Sequence, residues 1–108
     1  MKYIKKYEAI SNNEVEIGDY VIIASLDDDL DVASYNQRKE FNYFIEHNIG
    51  KIVDEYKYYI KVKYYNIPFN IKKFFDNNTF NFSSSRIIYY GKTKEDIEMK
   101  INAKKYNI

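Results

Sequence analysis

Apolar and polar residues alternate strictly from Tyr58 to Tyr65. In an extended strand, Ile60, Val62 and Tyr64 fall on one face. The opposite face carries Tyr59, Lys61, Lys63 and Tyr65. Successive side chains of a strand point to opposite sides of its sheet, so this pattern predicts a strand that is buried on one face only.

Two further segments predict neighbouring strands. A turn at Gly18-Asp19 precedes an apolar run, and the pattern predicts a first strand over about residues 15–26. A second strand is predicted around 48–53, where Gly50 allows a backbone conformation or a close approach that a side chain would prevent. Residues 54–57 then form a four-residue hairpin connection.

Helix signals occupy the connection between the first two strands and the end of the chain. Ser34 can cap a short helix that ends near 48–50, and Phe41, Phe44 and Ile45 share one of its faces. Thr93 and Asp96 resemble a capping box and predict a C-terminal helix over about 94–105. Its narrow apolar stripe is formed by Ile97 and Ile101, and we expect it to pack on the sheet and cover an opening or an edge strand.

Four shorter features complete the pattern. Pro68 predicts the start of a short helix that carries Phe69, Ile71, Phe74 and Phe75. One or two closing strands are predicted over residues 80–82 and 86–90, with Ser83-Ser84-Ser85 as the turn between them. Residues 3–10 are interpreted as a short preceding strand or arm.

Composition predicts an aromatic core in one domain that spans residues 1–108. The chain has 13 tyrosines, 7 phenylalanines and no tryptophan, and its leucines are Leu26 and Leu30. We therefore expect tyrosine and phenylalanine to fill most of the interior. The absence of cysteine excludes a disulfide framework, a thiolate zinc site and a cysteine nucleophile.

The net charge of +1 conceals an uneven distribution. Residues 14–31 carry seven carboxylates and no lysine or arginine, whereas residues 51–75 carry six lysines and two carboxylates. Such an asymmetry can orient the encounter with a charged partner, although solvation of a loop is its more common cause.

The strand segments together resemble a known class of binding domain. Gly18-Asp19-Tyr20-Val21, residues 49–53 and residues 59–64 are similar to KOW-type and other SH3-like small β-barrels. The longer pattern, with Asn66-Ile67-Pro68 and residues 87–98, also resembles small proteins of A/T-rich phages and large DNA viruses. The resemblance implies a mostly β fold with accessory α: an SH3-like barrel of about five strands over about 15–91, with a long first connection and the C-terminal helix. The connection from Ser25 to Asn48 is longer and more acidic than in a typical KOW unit, and this departure weakens RNA binding by analogy.

The sequence contains no pattern typical of catalysis or of a cofactor site. Asp27, Asp29 and Asp31 have the spacing of a calcium loop, but Val32 and Arg38 stand where such a loop needs Gly and Glu. His47 is the single histidine and has no partner in sequence for a metal or a triad. Three glycines cannot form a phosphate-binding loop. We therefore expect no enzyme activity, no cofactor and no metal.

These observations favour a non-enzymatic protein-interaction module, for example a phage or viral accessory protein that binds and modulates a host protein such as a defence factor. The predicted partner-binding residues are Asp27, Asp28, Asp29, Asp31 and Tyr35. No apolar stretch approaches the ~20 residues of a membrane span, and Met1–Tyr7 is not followed by an apolar leader segment. We expect a cytoplasmic protein, in the host cell if it is viral.

Two alternatives remain open. Nucleic acid could bind the opposite face, through alternating basic and aromatic side chains: Lys57, Tyr59, Lys61, Lys63 and Tyr65. A structural virion protein that self-associates by edge-strand pairing through residues 86–91 is the other possibility.

Overall fold

The computed structural model describes residues 15–25 and 34–106, with side chains as far as residue 103. Its strands are β1 (Tyr20–Ile23), β2 (Gly50–Glu55), β3 (Tyr59–Lys63), β4 (Thr79–Ser83) and β5 (Ile87–Gly91). Its α-helices are α1 (Tyr35–His47) and α2 (Lys94–Tyr106). The 3₁₀ helix covers Phe69–Phe74, and a single 3₁₀ turn covers Ser84–Arg86. The predicted arm at 3–10 lies outside the described residues.

The five strands form one antiparallel sheet in the order β4-β3-β2-β1-β5. β1 pairs with both β2 and β5, so the last strand returns to the first. Among the described strands β4 and β5 do not pair with each other, and the sheet is therefore open. The prediction of five strands with a long first connection is confirmed, but two 13-residue helices make the fold mixed α and β rather than mostly β.

β1 is shorter than the sequence predicted, because a turn occupies part of the predicted strand. Gly18 has a φ of 100°, a conformation that favours glycine, and its amide donates to the Ile52 carbonyl over 2.7 Å. Paired strand structure begins only at Tyr20. Val15 is nevertheless fully buried and joins the core from outside the sheet.

The β2–β3 hairpin also departs from its predicted register. A four-residue connection would pair Val53 with Tyr58, whereas the structure pairs Ile52 with Val62 and joins the strands through residues 56–58. A register shift between Ile52 and Asp54 leaves Val53 as an extra, exposed residue. The predicted alternation along β3 is confirmed, since Ile60 and Val62 are fully buried and Tyr59 is exposed.

Gly50 lies where β2 passes closest to the core. A Cβ atom at this position would lie against Val62 Cγ1 and 2.8 Å from the Tyr64 ring. Because neither neighbour is a flexible chain end, only glycine fits without displacing the core. The close approach that the sequence allowed is therefore confirmed.

α1 packs its predicted apolar face against the sheet and the 3₁₀ helix. The Ser34 hydroxyl accepts from the Gln37 amide and the Gln37 side chain accepts from the Ser34 amide, both over 3.2 Å. This reciprocal pair satisfies two amides at the helix start and fixes its first residue. The buried residues are those predicted: Phe41, Phe44 and Ile45.

The core is built from phenylalanine and aliphatic residues rather than from tyrosine. Phe41 contacts three rings, with centroid distances of 6.2 Å to Phe74, 5.3 Å to Phe75 and 5.1 Å to Phe80. Among the described tyrosines only Tyr64 is buried, so the expectation that most tyrosines fill the core is wrong. A buried ring that carries a hydroxyl needs a hydrogen-bond partner, and phenylalanine avoids that requirement.

α2 covers the β1 and β5 side of the sheet. The Asp96 amide donates to the Thr93 hydroxyl over 3.1 Å, which confirms the predicted cap. Of the two stripe residues, Ile97 is fully buried and Ile101 is exposed. Ile22 and Ile97 are both buried but lie outside the main core cluster. α2 contacts β1 and β5, and β5 is an edge strand of the sheet. The helix therefore packs on the sheet through one turn, as expected of a narrow stripe.

Candidate interaction surfaces

The predicted acidic binding site is only partly placed. Asp27, Asp28, Asp29 and Asp31 lie outside the described residues, and so does the calcium-like spacing among them. Tyr35 is the first residue of α1, and 69% of its surface is exposed. The structure therefore supports Tyr35 as a surface residue and does not test the four aspartates.

Tyr35 borders a cavity of about 670 Å³ on one side of α1. Its lining consists of Ser25, Tyr35, Arg38, Lys39, Asn42, Tyr43 and Glu46. Glu46 accepts from the Ser25 amide over 3.1 Å and from the Ser25 hydroxyl, while Arg86 donates to the Ser25 carbonyl. Three hydrogen bonds thus fix Ser25 between α1 and the sheet and give this cavity a rigid wall.

Near its C-terminal end, the exposed side of α1 carries two rings, those of Tyr43 and His47. Tyr43 is 64% exposed and stacks on His47 with the centroids 4.0 Å apart and the planes at 19°. His47 Nδ1 lies 2.8 Å from the Tyr43 carbonyl, which holds the imidazole in this position. The His47 ring therefore packs on the Tyr43 ring and forms part of an exposed aromatic surface.

The 3₁₀ helix holds an apolar ring in solvent. Because a 3₁₀ helix has three residues per turn, side chains three apart lie above one another. Ile71 is fully buried and Phe74 packs against the core, whereas Phe69 is 90% exposed and Lys72 is exposed beside it. The Ile71 amide donates to the Pro68 carbonyl over 3.2 Å and closes the first turn. Packing of one side of the turn thus directs Phe69 outward.

A second cavity, of about 570 Å³, lies between the exposed sides of α1 and the 3₁₀ helix. It is lined by Asn36, Gln37, Glu40, Phe69, Asn70, Lys72 and Lys73. The sequence placed Phe69 with Ile71, Phe74 and Phe75 on a short helix and did not predict that Phe69 is exposed. The signal that could have found it is the three-residue spacing after Pro68, which pairs Ile71 with Phe74 and separates Phe69 from both.

Most residues of the predicted nucleic-acid face lie along or beside β3. Lys61 and Lys63 lie on the side of the sheet opposite the buried Ile60 and Val62, and Tyr59 and Tyr65 are exposed. Lys63 Nζ lies 5.6 Å from the Tyr65 ring centroid. Lys57 lies in the hairpin connection, with its Nζ 5.2 Å from the Tyr58 centroid.

Register adds residues that sequence reasoning missed. Lys51 of β2 lies directly opposite Lys63, and Tyr20 of β1 lies opposite Lys51. Lys51 and Lys94 approach the Tyr20 ring from two elements, at 5.7 Å and 6.0 Å from its centroid. A basic and aromatic row therefore crosses three strands of the sheet.

One carboxylate interrupts this row. Asp54 pairs in register with Lys61, and its Oδ2 accepts from the Tyr56 hydroxyl over 3.0 Å. That hydrogen bond is the main reason why the pKa of Tyr56 is raised. Lys61 thus faces a carboxylate across the strands, whereas Lys51 and Lys63 face each other.

Part of the acidic segment has a structural role. Asp19 is buried, accepts from the Glu16 amide over 2.9 Å and pairs with Lys92 Nζ over 2.9 Å. Lys92 also contacts Glu16 over 2.8 Å, and these hydrogen bonds raise the pKa of its ammonium group. Glu16 and Asp19 thus tie the Gly18 turn to the end of β5.

The remaining candidates for chemistry have structural roles or no assembled site. Ser83 and Ser85 hydroxyls lie 2.9 Å apart in the short turn between β4 and β5, as predicted for a turn. Within residues 15–25 and 34–106, no group of three His, Asp or Glu side chains is placed to hold a metal ion. Nor does any helix of that part combine the length and apolar character needed to cross a membrane.

Comparison with known proteins adds no family to these observations. No family model matches the chain, and neither the curated proteins nor the solved structures gave a match. The resemblance to SH3-like barrels and to viral proteins therefore stays a prediction.

Proposed function

We propose that this protein is a non-enzymatic protein-interaction module that binds its partner through the surface formed by α1 and the 3₁₀ helix. This α1–3₁₀ surface consists of Tyr35, Lys39, Tyr43, Phe69 and Lys72. The single observation that carries the proposal is the 90% exposure of Phe69 on a helix whose opposite side is packed into the core.

An exposed phenylalanine keeps its ring in water and does not gain the free energy of burial. Full burial of such a ring is worth about 1.5–3 kcal/mol, and an interface can recover this free energy. Because Ile71 fixes the turn, little ordering of the backbone at Phe69 is needed on binding. Aromatic anchors of this kind, surrounded by polar groups, dominate many protein interfaces.

The proposed module is an SH3-like small barrel. A meander whose fifth strand returns to pair with the first supports this assignment, because that order would close if β4 and β5 met. We further propose, from the resemblance of the sequence, that it is a phage or viral accessory protein acting on a host protein in the host cytoplasm.

The test compares matched double variants in partner capture. Phe69→Ser with Tyr43→Ser removes two rings from the α1–3₁₀ surface, and Tyr59→Ser with Tyr65→Ser removes two exposed rings from the sheet face. We expect a nuclease-resistant protein to be captured from host lysate by the wild type and by the sheet variant, but not by the first variant. Equal capture by all three proteins would exclude this surface.

The predicted acidic residues are tested in the same assay. Replacement of Asp27, Asp28, Asp29 and Asp31 by asparagine removes four negative charges while keeping side-chain size. We expect weaker capture if these aspartates meet a basic patch of the partner. Unchanged capture removes them from the site and leaves Tyr35 as the contribution of that segment.

Nucleic-acid binding is the second candidate, and the pairing of Lys51 with Lys63 favours it. Like charges directly opposite each other destabilise a sheet, and a phosphate bound between them would relieve the repulsion. The test is binding of a labelled oligo-dT at several salt concentrations. Three phosphate contacts, at Lys51, Lys61 and Lys63, predict a slope of about −2 in log affinity against log salt, and Lys51→Gln with Lys63→Gln should flatten it.

Self-association through residues 86–91 is the third candidate. β5 lies at an edge of the sheet, as that role requires. α2 packs against this strand, however, and Lys100 donates to the Tyr90 carbonyl. Sedimentation velocity that gives a concentration-independent monomer would exclude self-assembly of the protein on its own.

A further inference from the structure

We propose that the partner segment recognised by the α1–3₁₀ surface is an acidic peptide with apolar anchors, which lies in the cavity between α1 and the 3₁₀ helix and covers Phe69. This inference rests on the proposed function and adds the chemistry of the partner.

The charge around the cavity favours a negative partner. Lys72 and Lys73 lie on the 3₁₀ helix, Lys39 lies on the exposed stripe of α1, and all three are exposed. Glu40 is the carboxylate that lines this cavity. Three ammonium groups against one carboxylate attract an acidic segment and repel a basic one.

The position of the charges relative to the ring sets the order of contacts. Three residues per turn place Lys72 above Phe69 on the same side of the 3₁₀ helix. A partner carboxylate that pairs with Lys72 therefore lies about one 3₁₀ turn, or ~6 Å, from an apolar side chain that packs on Phe69. Acidic and apolar residues one or two positions apart in an extended peptide meet this spacing.

The polar lining suits a peptide backbone. Asn36 of α1 and Asn70 of the 3₁₀ helix line the cavity with carboxamides, while the Gln37 side-chain oxygen already accepts from the Ser34 amide. A carboxamide both donates and accepts, which matches the alternating N–H and C=O groups of an extended chain. A phosphate backbone offers only acceptors and would leave the amide oxygens without donors, so the lining favours peptide over nucleic acid.

A further apolar contact extends the site along α1. Asn36, Lys39, Glu40 and Tyr43 line a cavity of about 300 Å³ on the adjoining part of the helix. Tyr43 and Phe69 therefore border two cavities that share Asn36 and Glu40. Two apolar anchors of one peptide segment can pack at these two positions.

The test measures fluorescence anisotropy of labelled synthetic peptides titrated with the full chain. The probe alternates Asp or Glu with Phe and Leu; one matched peptide replaces the acids with Lys, and another replaces Phe and Leu with Ser. We expect the acidic apolar peptide to bind, and each matched peptide to bind at least about tenfold more weakly, since tenfold corresponds to the loss of one good contact.

Variants locate the binding. Phe69→Ser should weaken the acidic peptide about tenfold, and Lys72→Gln with Lys73→Gln should weaken it severalfold and reduce its salt dependence. Lys61→Gln with Lys63→Gln on the sheet face is the matched control and should leave the affinity within about twofold.

Any of these outcomes of the titrations would overturn the inference: no binding of the acidic peptide, equal binding of the basic peptide, no effect of Phe69→Ser, or displacement of the peptide by oligo-dT. A dimer in sedimentation that Phe69→Ser dissociates would assign the surface to a second copy and also overturn it. If peptides fail to bind but Phe69→Ser abolishes partner capture, the proposed function stands and only the acidic chemistry fails. If capture is also unchanged, both fail.

Discussion

The buried core and the outer surface hold different aromatic residues. Phe41, Phe44, Phe75 and Phe82 are buried, whereas Tyr35, Tyr43, Tyr58, Tyr59 and Tyr65 are exposed. The rings are similar in size, and what separates them is the hydroxyl, which needs a partner when it leaves water. One residue of each type breaks this division: Tyr64 is buried and Phe69 is exposed.

The two exceptions teach different things. The Tyr64 hydroxyl has no hydrogen-bond partner among the described residues, so burial imposes a cost that no contact there offsets. Phe69 lies in solvent, whereas Ile71 on the other side of the same helix is fully buried. Tyr64 thus carries a cost of burial, whereas Phe69 leaves apolar area in contact with water.

The largest expected effect comes from removal of a buried ring. Phe41→Ala should lower the free energy of unfolding by about 3–5 kcal/mol, because it removes contacts with three rings and leaves a cavity. Urea denaturation measures the change. Tyr43→Ala, two residues later on the same helix, is the control and should stay within about 0.5 kcal/mol, since its ring is exposed. Similar losses in both variants would break the comparison.

A smaller change in the free energy of unfolding, of opposite sign, is expected at Tyr64. Tyr64→Phe keeps the ring and removes the unpartnered hydroxyl, so it should raise the free energy of unfolding by about 1 kcal/mol. The same urea experiment tests it, with Tyr65→Phe as the exposed neighbour that should change nothing measurable. Destabilisation by Tyr64→Phe would show that the hydroxyl has a favourable contact in solution.

The stability of the protein at alkaline pH gives a second test of the buried Tyr64. Burial raises the pKa of Tyr64 far above its ordinary value near 10. Below pH 10 the residue is protonated in both states, and above it only the unfolded state releases the proton, so stability falls as pH rises. One such group costs about 1.4 kcal/mol at pH 11. Thermal unfolding at pH 9 and pH 11 (about one unit on either side of the ordinary value) should therefore show a smaller loss for Tyr64→Phe than for wild type. An equal loss in both proteins would contradict the raised pKa.

Local patterns predicted the elements, and their placement depended on contacts that a local pattern does not contain. The alternation along β3 and the Ser34 cap were found because each arises within a few residues. The pairing of Lys51 with Lys63 was missed because it depends on the extra residue at Val53, which shifts the hairpin register. β1 was predicted too long because Val15 is buried without being in a strand.

The candidate site was predictable only in part, for a related reason. Tyr35 was predicted from its place beside the acidic segment and is exposed, and the residues along β3 were predicted from their alternation. Phe69 was missed because an apolar residue near other apolar residues is expected in the core. At either three or 3.6 residues per turn, Phe69 falls on the side of the helix away from Ile71 and Phe74. Its exposure therefore depends on which side of the helix packs on the core, and a local pattern does not contain that contact.

The smallest change in stability is expected at Phe69 itself. Phe69→Ser removes a ring that is 90% exposed, so the free energy of unfolding should change by no more than about 0.5 kcal/mol. Ile71→Ser, two residues later in the same helix, is the matched control and should cost several times more, because its side chain is fully buried. Urea denaturation of both variants beside the wild type makes the measurement. A large loss for Phe69→Ser would mean that the ring packs on the protein in solution, and the exposed phenylalanine would then no longer stand apart from the buried ones. A small loss would leave Phe69 as a side chain that the fold does not need, which is the property expected of a residue kept for contact with a partner.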